Sequence, residues 1–404
     1  MMRSRRDLLT TAAGLSLLTG CLGGGGDGTN DAETGTPTPG GDGTGGAETR
    51  TPTAGGDGAG RTATASDDGT GGTGTPTPGA DKPDPDVEGV SLLLNWKPNG
   101  LHVPYYTATA RGFYEDRGLP VSEIKAGEGS DFSAKQVGLG NEAFGVTSSD
   151  QVVNINSRDV SVLTVGVMMQ KSPVVVFSTE EVLGEPLESV EQLRGKTVGT
   201  GPGMVEVLTK VLLRREDVFD SVTMTSTGFD TVQKLLSGDV DAAGGVFGDA
   251  IAAEHEGYTT HSIPVAETVP SYGHVLATSP SFAEENPDAV RAFLQGTAKG
   301  AAWAMNNPGE GVDHLVEANP SLAESRAQTR DNWDRMAEGF MLSEAVTEEA
   351  WGWSRSTPWE TTHQALDDAD LLDGSVDPAS VWTNEYLDGR YRYLDSFHEV
   401  VSDS

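Results

Sequence analysis

Four side chains suited to binding a small polar ligand lie close together at Asn95, Trp96, Asn99 and His102. They follow a short apolar run at 90–94 that is typical of a buried strand, and they occupy the polar, turn-forming segment where that strand ends. Ligands of open α/β proteins bind in the crevice beyond the carboxyl ends of the strands. We therefore expect the two amides, the indole and the imidazole to line the mouth of a cleft, although an isolated Trp or His more often serves packing.

A second group of candidates follows other predicted strands. The Gly-rich turn at 199–203 leads into a predicted helix whose first turn carries Glu206. A carboxylate there suits a ligand that donates a hydrogen bond better than it suits a phosphate, although a plain capped helix explains the glycines equally well. The other positions expected to contact a ligand are Ser148, Ser149, Gly203, Phe247, Gly248 and Tyr272.

Sequence signatures of catalysis are missing from the chain. It has no Gly-x-Ser-x-Gly motif, no His-Glu-x-x-His motif and no phosphate loop that ends in Gly-Lys-Ser/Thr. Its single cysteine, Cys21, precedes the globular part, which therefore has no thiol for a nucleophile or an iron–sulfur cluster. We predict that the chain is not an enzyme and has no catalytic residue, metal site or cofactor.

The elements that must position these candidates alternate between strand-like and helical patterns, which predicts an α/β fold with mostly parallel sheets. Strands are expected at 90–94, 162–167, 174–177, 197–199 and 275–278, and helices at 104–114, 206–213, 231–236, 287–305 and 347–371. The globular part, residues 88–404, is longer than a single hydrophobic core usually supports, so two lobes are expected. Lobe one comprises 88–178 plus 275–404 and lobe two comprises 181–272, joined by two crossover segments near 177–179 and 272–277.

A faint internal similarity supports this division into two lobes. Segments 138–146 and 236–246 each pass from a helix end at glycine, through an acidic residue, into a strand of small residues. One such element in each lobe is expected of a two-lobed binding protein. Gly-rich segments also resemble each other by chance, so this alternative stays open.

The first 86 residues are predicted to serve export and tethering. Residues 1–21 combine Arg3, Arg5 and Arg6 with a short apolar stretch and small residues before Cys21, which predicts a signal peptide with a lipobox. The paired arginines resemble a twin-arginine (Tat) export signal. Residues 22–86 are almost wholly Gly, Thr, Pro, Asp, Ala, Ser and Glu, so we expect a disordered linker.

Charge restricts the possible partners. The chain has 61 acidic and 27 basic side chains, and its formal net charge is −34. Such a surface repels nucleic acid and anionic lipid, so neither is an expected partner, and membrane attachment is expected through the lipid anchor alone. The acid excess is spread along the chain, as in halophilic proteins that fold in strongly screening salt.

The turn after the first strand also carries a family resemblance. Leu94-Asn95-Trp96-Lys97-Pro98-Asn99, with His102, resembles the NMT1-like family, which holds the ThiY-type periplasmic pyrimidine-binding proteins and the yeast-type pyrimidine synthase of thiamine biosynthesis. Weaker matches, shared with many solute-binding proteins including the sulfonate-binding group, lie at 112–114, 118–119, 193–199, 238–242 and 383–387.

The resemblance implies a bilobal, periplasmic-binding-protein-like fold and a lipid-anchored substrate-binding protein of an ABC importer, held at the extracellular face of the cell membrane. Its ligand would be a small heterocycle, namely a thiamine-precursor pyrimidine of the hydroxymethyl- or aminomethylpyrimidine type. Its partners would be the ABC permease and ATPase subunits. The resemblance also places a ligand-contacting acid near Glu206. We expect a monomer.

Two alternatives remain open. The first is a binding protein for a sulfonate, taurine, nitrate or riboflavin; an oxyanion would need a cation, and Lys97 is the obvious one at the turn. The second is the pyrimidine synthase itself. That enzyme family has a cysteine-rich metal motif after the second crossing, where this chain has Tyr272-Gly273-His274-Val275-Leu276-Ala277-Thr278.

The predicted anchor is testable by Cys21→Ser. Without the thiol that accepts the lipid, we expect the protein to be released into the medium or to persist as an uncleaved precursor. Cell fractionation with mass spectrometry of the product measures both outcomes. Membrane association of the Ser variant at its mature size would contradict the lipoprotein assignment.

Overall fold

The computed structural model of the chain describes residues 82–201, 203–228, 230–387 and 390–402, all of them within one compact unit. The predicted signal peptide, its Cys21 and residues 22–81 of the predicted linker lie outside these ranges. At the end of the predicted linker, Pro83 is buried, and Pro83 and Pro85 both lie within 4 Å of the position of a Cβ on Gly118. The packed part of the chain therefore begins before its first strand.

Within the described residues, ten strands form two five-stranded sheets. The first sheet has the order β2-β1-β3-β10-β4 and the second has the order β7-β6-β8-β5-β9. The strands β1, β4, β5, β6 and β10 confirm the five predicted from the sequence. The bounds are β1 Val90–Leu93, β2 Val121–Lys125, β3 Phe144–Ser148, β4 Leu163–Val167, β5 Val174–Thr179, β6 Thr197–Thr200, β7 Thr223–Ser226, β8 Ala242–Val246, β9 Thr260–Pro264 and β10 His274–Thr278.

Both sheets repeat one arrangement, in which four strands run parallel and one runs in the opposite direction. β10 is antiparallel to β3 and β4, and β5 is antiparallel to β8 and β9. The prediction of mostly parallel α/β sheets is confirmed. The two similar segments of the sequence lead into β3 and β8, which hold the same place in their respective sheets. The internal similarity therefore marks equivalent strands.

The chain passes between the sheets at 168–173 and again before β10. The backbone N–H of Ser172 donates to the Ser271 carbonyl at 2.8 Å, and that of Gly273 donates to the Met169 carbonyl at 3.0 Å, so the two crossings run side by side. The predicted first crossing at 177–179, and with it the lobe-one boundary at 178, was wrong because these residues belong to β5 of the second sheet. A run of β-branched residues suits either sheet, and strand pairing decides between them.

Fifteen α-helices, several of them short, accompany the sheets in the described residues. They are α1 Val103–Ala110, α2 Ser130–Gly138, α3 Ser149–Asn156, α4 Glu180–Leu183, α5 Met204–Arg215, α6 Thr231–Leu236, α7 Phe247–His255, α8 Pro280–Glu285, α9 Pro287–Asn306, α10 Pro308–Ala318, α11 Arg326–Gly339, α12 Glu344–Glu348, α13 Ser356–Asp367, α14 Arg392–Asp395 and α15 Phe397–Ser402. No described helix has the length and apolar character needed to span a membrane.

Two predicted helix boundaries were wrong. α1 ends at Ala110, four residues before the predicted end at 114, and a short 3-10 helix follows. The predicted tail helix at 347–371 is interrupted between α12 and α13, where Gly352 has a φ of +86°. That left-handed conformation favours glycine and cannot continue an α-helix.

Packing of α1 on the central helix α9 positions the turn that carries the candidate residues. Phe293 of α9 stacks on Phe144 of β3 with ring centroids 4.1 Å apart, so α9 is anchored to the first sheet. A Cβ on Gly300 of α9 would lie 2.5 Å from the Pro104 carbonyl oxygen, so glycine lets the two helices approach closely. The start of α1, directly after His102, is thereby held against the core.

Gly127 supports the same turn from behind. The N–H of Leu94 donates to the Lys125 carbonyl at 2.9 Å, and the N–H of Gly127 donates to the Trp96 carbonyl at 3.1 Å. A Cβ on Gly127 would lie 1.9 Å from the Leu94 carbonyl oxygen, well inside contact distance. Any larger residue must therefore displace the backbone that carries Asn95 and Trp96.

We expect Gly127→Ala to lower the free energy of unfolding by about 1–3 kcal/mol, because the added methyl overpacks this contact. Urea denaturation measures the change. Gly339→Ala is the matched control, since Gly339 ends α11 and a Cβ there meets nothing within 4 Å. Equal stability of the two variants would show that the turn tolerates the side chain.

Candidate ligand-binding site

Asn99 shapes the turn with its own polar atoms. Its Oδ1 accepts from the Leu101 N–H at 3.0 Å, and its Nδ2 donates to the Lys97 carbonyl at 3.0 Å. Its backbone N–H donates to Nδ1 of His102 at 3.2 Å. The carboxamide that the sequence offers to a ligand is thus engaged within the turn, and Asn99 acts on the site through the position of His102.

A partly buried chain of hydrogen bonds runs from this turn to β10, the strand that follows the second crossing. Nε2 of His102 lies 2.9 Å from Oδ1 of Asn95, and Nδ2 of Asn95 lies 3.1 Å from Nε2 of His274. Since Nδ1 of His102 accepts from Asn99, its Nε2 carries the proton and donates to Asn95. Asn95 in turn donates to His274, which leaves the His274 proton on Nδ1.

Both imidazoles of this chain are neutral at ordinary pH. The rings stack with centroids 5.6 Å apart and planes 11° apart, and both side chains are buried. Burial, followed by repulsion from His274, lowers the pKa of His102 well below its usual value near 6.5. Burial alone lowers the pKa of His274 to about 4. The base of the site therefore offers dipoles and hydrogen bonds but no positive charge.

His274 is a site residue that sequence reasoning missed. It begins β10, pairs with Ser148 of β3 and is 7% exposed, yet its Nδ1 has no hydrogen-bond partner. The sequence around it reads as a crossing segment and strand, so nothing local distinguishes it from a packing histidine. Only the return of β10 beside β3 brings it to Asn95.

Trp96, which directly follows Asn95 of this hydrogen-bonded chain, is exposed to solvent. Its side chain is 45% exposed, which makes it one of the most exposed large apolar residues of the described part. Lys97, next to it, is also exposed. The turn therefore places a free indole face next to a neutral hydrogen-bonding base.

Three further candidates lie at the neighbouring strand ends. Ser148 is half-buried opposite His274, where it precedes α3. The Ser149 hydroxyl donates to the Tyr272 carbonyl at 2.9 Å. The Tyr272 hydroxyl accepts from the Arg355 N–H at 2.7 Å, and its ring packs edge-on against Trp359. Ser149 and Tyr272 are thus engaged in tying the second crossing to α3 and α13.

The Gly-rich turn after β6 has a partner of its own. Glu206 forms an ion pair with Lys210 one turn further along α5, and both side chains are about one-third exposed. Gly203 is exposed and has a φ of +81°, which suits glycine at the start of this helix. A ligand can bind the Glu206 carboxylate if it displaces Lys210 from the ion pair.

The last two candidates form a wall that meets α11. The Phe247 ring lies 4.7 Å from the Phe340 ring, and a Cβ on Gly248 would lie 3.1 Å from Oδ1 of Asn332. Asn332 also packs against the turn, because a Cβ on Gly100 would lie 2.8 Å from its Cβ. α11 therefore joins the turn of the first sheet to the start of α7 in the second.

Two cavities lie next to this wall, each lined in part by α7 and α11. One of about 90 Å³ is lined by Phe247 and Phe340 among others, and one of about 500 Å³ is lined mainly by α11, including its acidic Asp331, Asp334 and Glu338. Phe247 is the predicted site residue that reaches either of them. A ligand at Trp96 would therefore occupy a different place, since neither cavity is lined by Trp96 or its neighbours in the turn.

Comparison of the sequence with known families gives a match. The model described as NMT1/THI5 like matches residues 99–311, more than half of the chain. This range includes Asn99, His102, the strands from β2 to β10 and both crossings between the sheets.

The chain aligns with three curated relatives over most of the length of each. Riboflavin-binding protein RibY of Chloroflexus aurantiacus is 25% identical over 311 residues, 76% of this chain and 88% of RibY. The formylaminopyrimidine-binding protein of Halalkalibacterium halodurans is 27% identical over 238 residues, 57% of this chain and 70% of that protein. The 4-amino-5-hydroxymethyl-2-methylpyrimidine phosphate synthase of Legionella pneumophila is 23% identical over 242 residues, 58% of this chain and 74% of the synthase.

A solved structure confirms the fold. The periplasmic aliphatic sulphonate binding protein SsuA from Escherichia coli matches with a TM-score of 0.60 at 15% identity, over 76% of this chain and 95% of SsuA. The predicted bilobal, periplasmic-binding-protein-like α/β fold is therefore confirmed. At this identity the likeness concerns the fold alone.

The neutral histidine pair predicts a pH dependence of stability. The pKa of His274 is about 6.5 in the unfolded chain and about 4 in the folded one, so the unfolded state binds more protons between these values. The stability it contributes is complete above pH 6.5 and is lost as pH falls toward 4, by up to about 3 kcal/mol.

Urea denaturation from pH 4 to 7 measures this dependence. The control is His274→Gln, which replaces the imidazole by a carboxamide that can hydrogen-bond but cannot titrate, and its stability should fall less steeply with acid than that of the unmodified protein. Parallel curves for the two proteins would show that His274 is not buried as a neutral imidazole.

Proposed function

The chain belongs to the NMT1/THI5-like family, and on that premise we propose that it is the substrate-binding protein of an ABC importer for a planar, uncharged nitrogen heterocycle. A thiamine-precursor pyrimidine, of the hydroxymethyl- or aminomethylpyrimidine type, is the first candidate ligand. One observation carries the proposal. An exposed Trp96 follows Asn95, which is hydrogen-bonded to the buried, neutral His102 and His274 at the carboxyl edge of the first sheet.

The indole favours a flat ring as ligand. A single exposed Trp is common on protein surfaces, but here it borders a hydrogen-bonding base with an unpartnered N–H on Nδ1 of His274. A heteroaromatic ring stacked on Trp96 would gain about 0.5–1.5 kcal/mol beyond area burial, and its ring nitrogen or carbonyl is the acceptor that the His274 N–H lacks. Micromolar binding needs about 8 kcal/mol, so closure of the second wall must add contacts.

The charge of the site favours an uncharged ligand over an oxyanion. A sulfonate or nitrate needs cations or charged donors around its oxygens. Burial keeps both imidazoles of the base neutral, and Lys97 is an exposed ammonium at the rim instead of a buried partner. This arrangement supports a neutral heterocycle and ranks the sulfonate, taurine and nitrate alternatives lower.

Riboflavin is the strongest alternative ligand. The relative named for riboflavin binding aligns over more of this chain than the relative named for formylaminopyrimidine binding. Isoalloxazine and aminopyrimidine are both flat, uncharged nitrogen heterocycles, so the features of the site support either one. The choice between them depends on how far the walls open, because the flavin is the larger ring.

The synthase alternative has less support from the residues. One relative is named as a pyrimidine phosphate synthase. At the position of the cysteine-rich motif that the resemblance implies for such enzymes, this chain has Tyr272, bonded to the Arg355 backbone, and His274, bonded to Asn95. Two relatives named as binding proteins also favour binding over catalysis.

We further propose that the protein acts as a monomer at the extracellular face of the cell membrane, held there by a lipid on Cys21. Its partners would be the permease and ATPase subunits that receive the ligand. The leader and linker of the sequence support this placement, since a basic, apolar and lipobox-like segment precedes a long polar linker.

Calorimetric titration with an aminopyrimidine, riboflavin, thiamine and taurine tests the proposed ligand class. We expect the protein to bind one of the flat rings. Trp96→Ala should weaken that binding about tenfold or more through lost stacking and buried area. Glu206→Gln should weaken it roughly 5–30-fold if the carboxylate exchanges Lys210 for the ligand.

Lys97→Ala separates the ligand classes, with Lys135→Ala on the exposed face of α2 as the matched control. For a neutral ring, both variants should bind within about twofold of the unmodified protein, because the ligand carries no charge for the ammonium to meet. Taurine binding that collapses in Lys97→Ala and survives in Lys135→Ala, with no flat ring bound, would replace this proposal with the oxyanion alternative.

A further inference from the structure

Asn332 of α11 lies where the two walls of the candidate site meet. On one side, a Cβ on Gly100 in the turn would come within 2.8 Å of its Cβ. On the other, a Cβ on Gly248 at the start of α7 would come within 3.1 Å of its Oδ1. The carboxamide therefore fills the space between the first-sheet turn and the second-sheet helix, and it points its oxygen at the latter.

This carboxamide has no hydrogen-bond partner among the described residues. Asn332 is 9% exposed, and its buried Oδ1 accepts no hydrogen bond. Most buried polar groups in folded proteins are paired, so one that is not needs an explanation. An apolar residue of similar shape would avoid the cost of burying an unpaired amide, so packing alone does not explain asparagine here.

The backbone next to this oxygen supplies the opposite polarity. Gly248 lies in the first turn of the nine-residue helix α7, where N–H groups have no acceptor within the helix. Phe247 and Val246 do have acceptors, since the N–H of Phe247 donates to Pro173 and that of Val246 donates to Asp249. An unpaired acceptor on Asn332 thus faces the donor-rich end of a helix.

We propose that Asn332 and the N–H of Gly248 together recognise the ligand's edge, with Oδ1 accepting a hydrogen bond from the ring and the Gly248 N–H donating one to it. This assignment rests on the proposed function and adds the hydrogen-bonding pattern that the edge of the ligand must have. It requires a planar ring in which a donor and an acceptor stand side by side, as in a cyclic amidine or a cyclic imide.

The pairing also connects binding with closure of the walls. Asn332 packs against the turn that carries Trp96, while Gly248 lies in α7, which directly follows β8 of the second sheet. A ring held between them bonds to both walls at once, so its edge stabilises the closed arrangement. A sulfonate or nitrate group has no hydrogen-bond donor to offer Oδ1, and its negative charge would be repelled by that oxygen. The pair therefore selects against sulfonate and nitrate.

Asn332→Leu tests the assignment, because leucine has a similar shape and no polar atom. We expect affinity for the bound ring to fall about tenfold or more, while the thermal midpoint of the ligand-free protein is unchanged or higher. Gln295→Leu on α9 is the matched control, since Gln295 is 6% exposed and its Oε1 is also buried without a partner. Its binding should match that of the unmodified protein.

Blocked rings test the edge independently of the variant. The probes are 4-amino-5-hydroxymethyl-2-methylpyrimidine and its 4-dimethylamino analogue, and riboflavin and its 3-methyl analogue. Methylation removes the donor that Oδ1 would accept, so the unmodified protein should bind the methylated ring about tenfold more weakly. Asn332→Leu should bind the methylated and unmethylated rings nearly equally.

Two outcomes separate the failures. If the unmodified protein binds a ring and Asn332→Leu binds it equally well, with the methylated analogue bound as tightly, the assignment of Asn332 is overturned and the proposed function stands. If the unmodified protein binds neither ring, the proposed function fails and the assignment fails with it.

Discussion

The Asn95 carboxamide, which bridges two buried imidazoles, is the interaction on which the site depends. It joins the end of β1 to His102 at the start of α1 and to His274 at the start of β10, which is 179 residues away in sequence. Both hydrogen bonds to Asn95 can form when the two imidazoles are neutral, and burial favours that state in both. The first strand, the first helix and the strand after the second crossing are thus held together without any charge.

This constraint explains how the neighbouring residues divide between scaffold and ligand contact. Asn99 sets the orientation of His102 through its backbone N–H, and Gly127 holds the backbone of the turn from behind. Trp96, next to Asn95, is 45% exposed. A neutral base with an exposed aromatic face is suited to a flat heterocycle, and it gives an oxyanion little to bind.

The second wall reaches this base through α11, which is part of neither sheet. Phe247 packs on Phe340, and Nε2 of His255 lies 2.7 Å from Oδ2 of Asp331, so α7 and α11 are in contact at both ends of α7. Between these contacts the Asn332 carboxamide remains unpaired. The fold has therefore placed a polar group of no evident packing value at the junction where a bound ring would be enclosed.

The sequence by itself determined the elements and the turn. Apolar periodicity and Gly and Asn signals predicted β1, β4, β6, β10 and the helices on α5, α6 and α9, because these patterns report local backbone preference and one buried face. The Asn-Trp-x-Pro-Asn-x-x-His spacing likewise indicated the family and the strand end at which its residues gather. Composition was enough to predict an acidic protein for which nucleic acid and anionic lipid are not expected partners.

The tertiary structure decided which of those side chains remain free. The polar side-chain groups of Tyr272, Ser149 and Asn99 could bind a ligand, but they are hydrogen-bonded to backbone groups instead. The Glu206 carboxylate is paired with Lys210. His274 and Asn332 were not selected from the sequence, since a lone His in a strand and a lone Asn in a polar helix carry no local signal. β5 was assigned to the wrong lobe for the same reason. Strand pairing and hydrogen-bond partners are chosen between residues far apart in the chain, and periodicity reports only on neighbours.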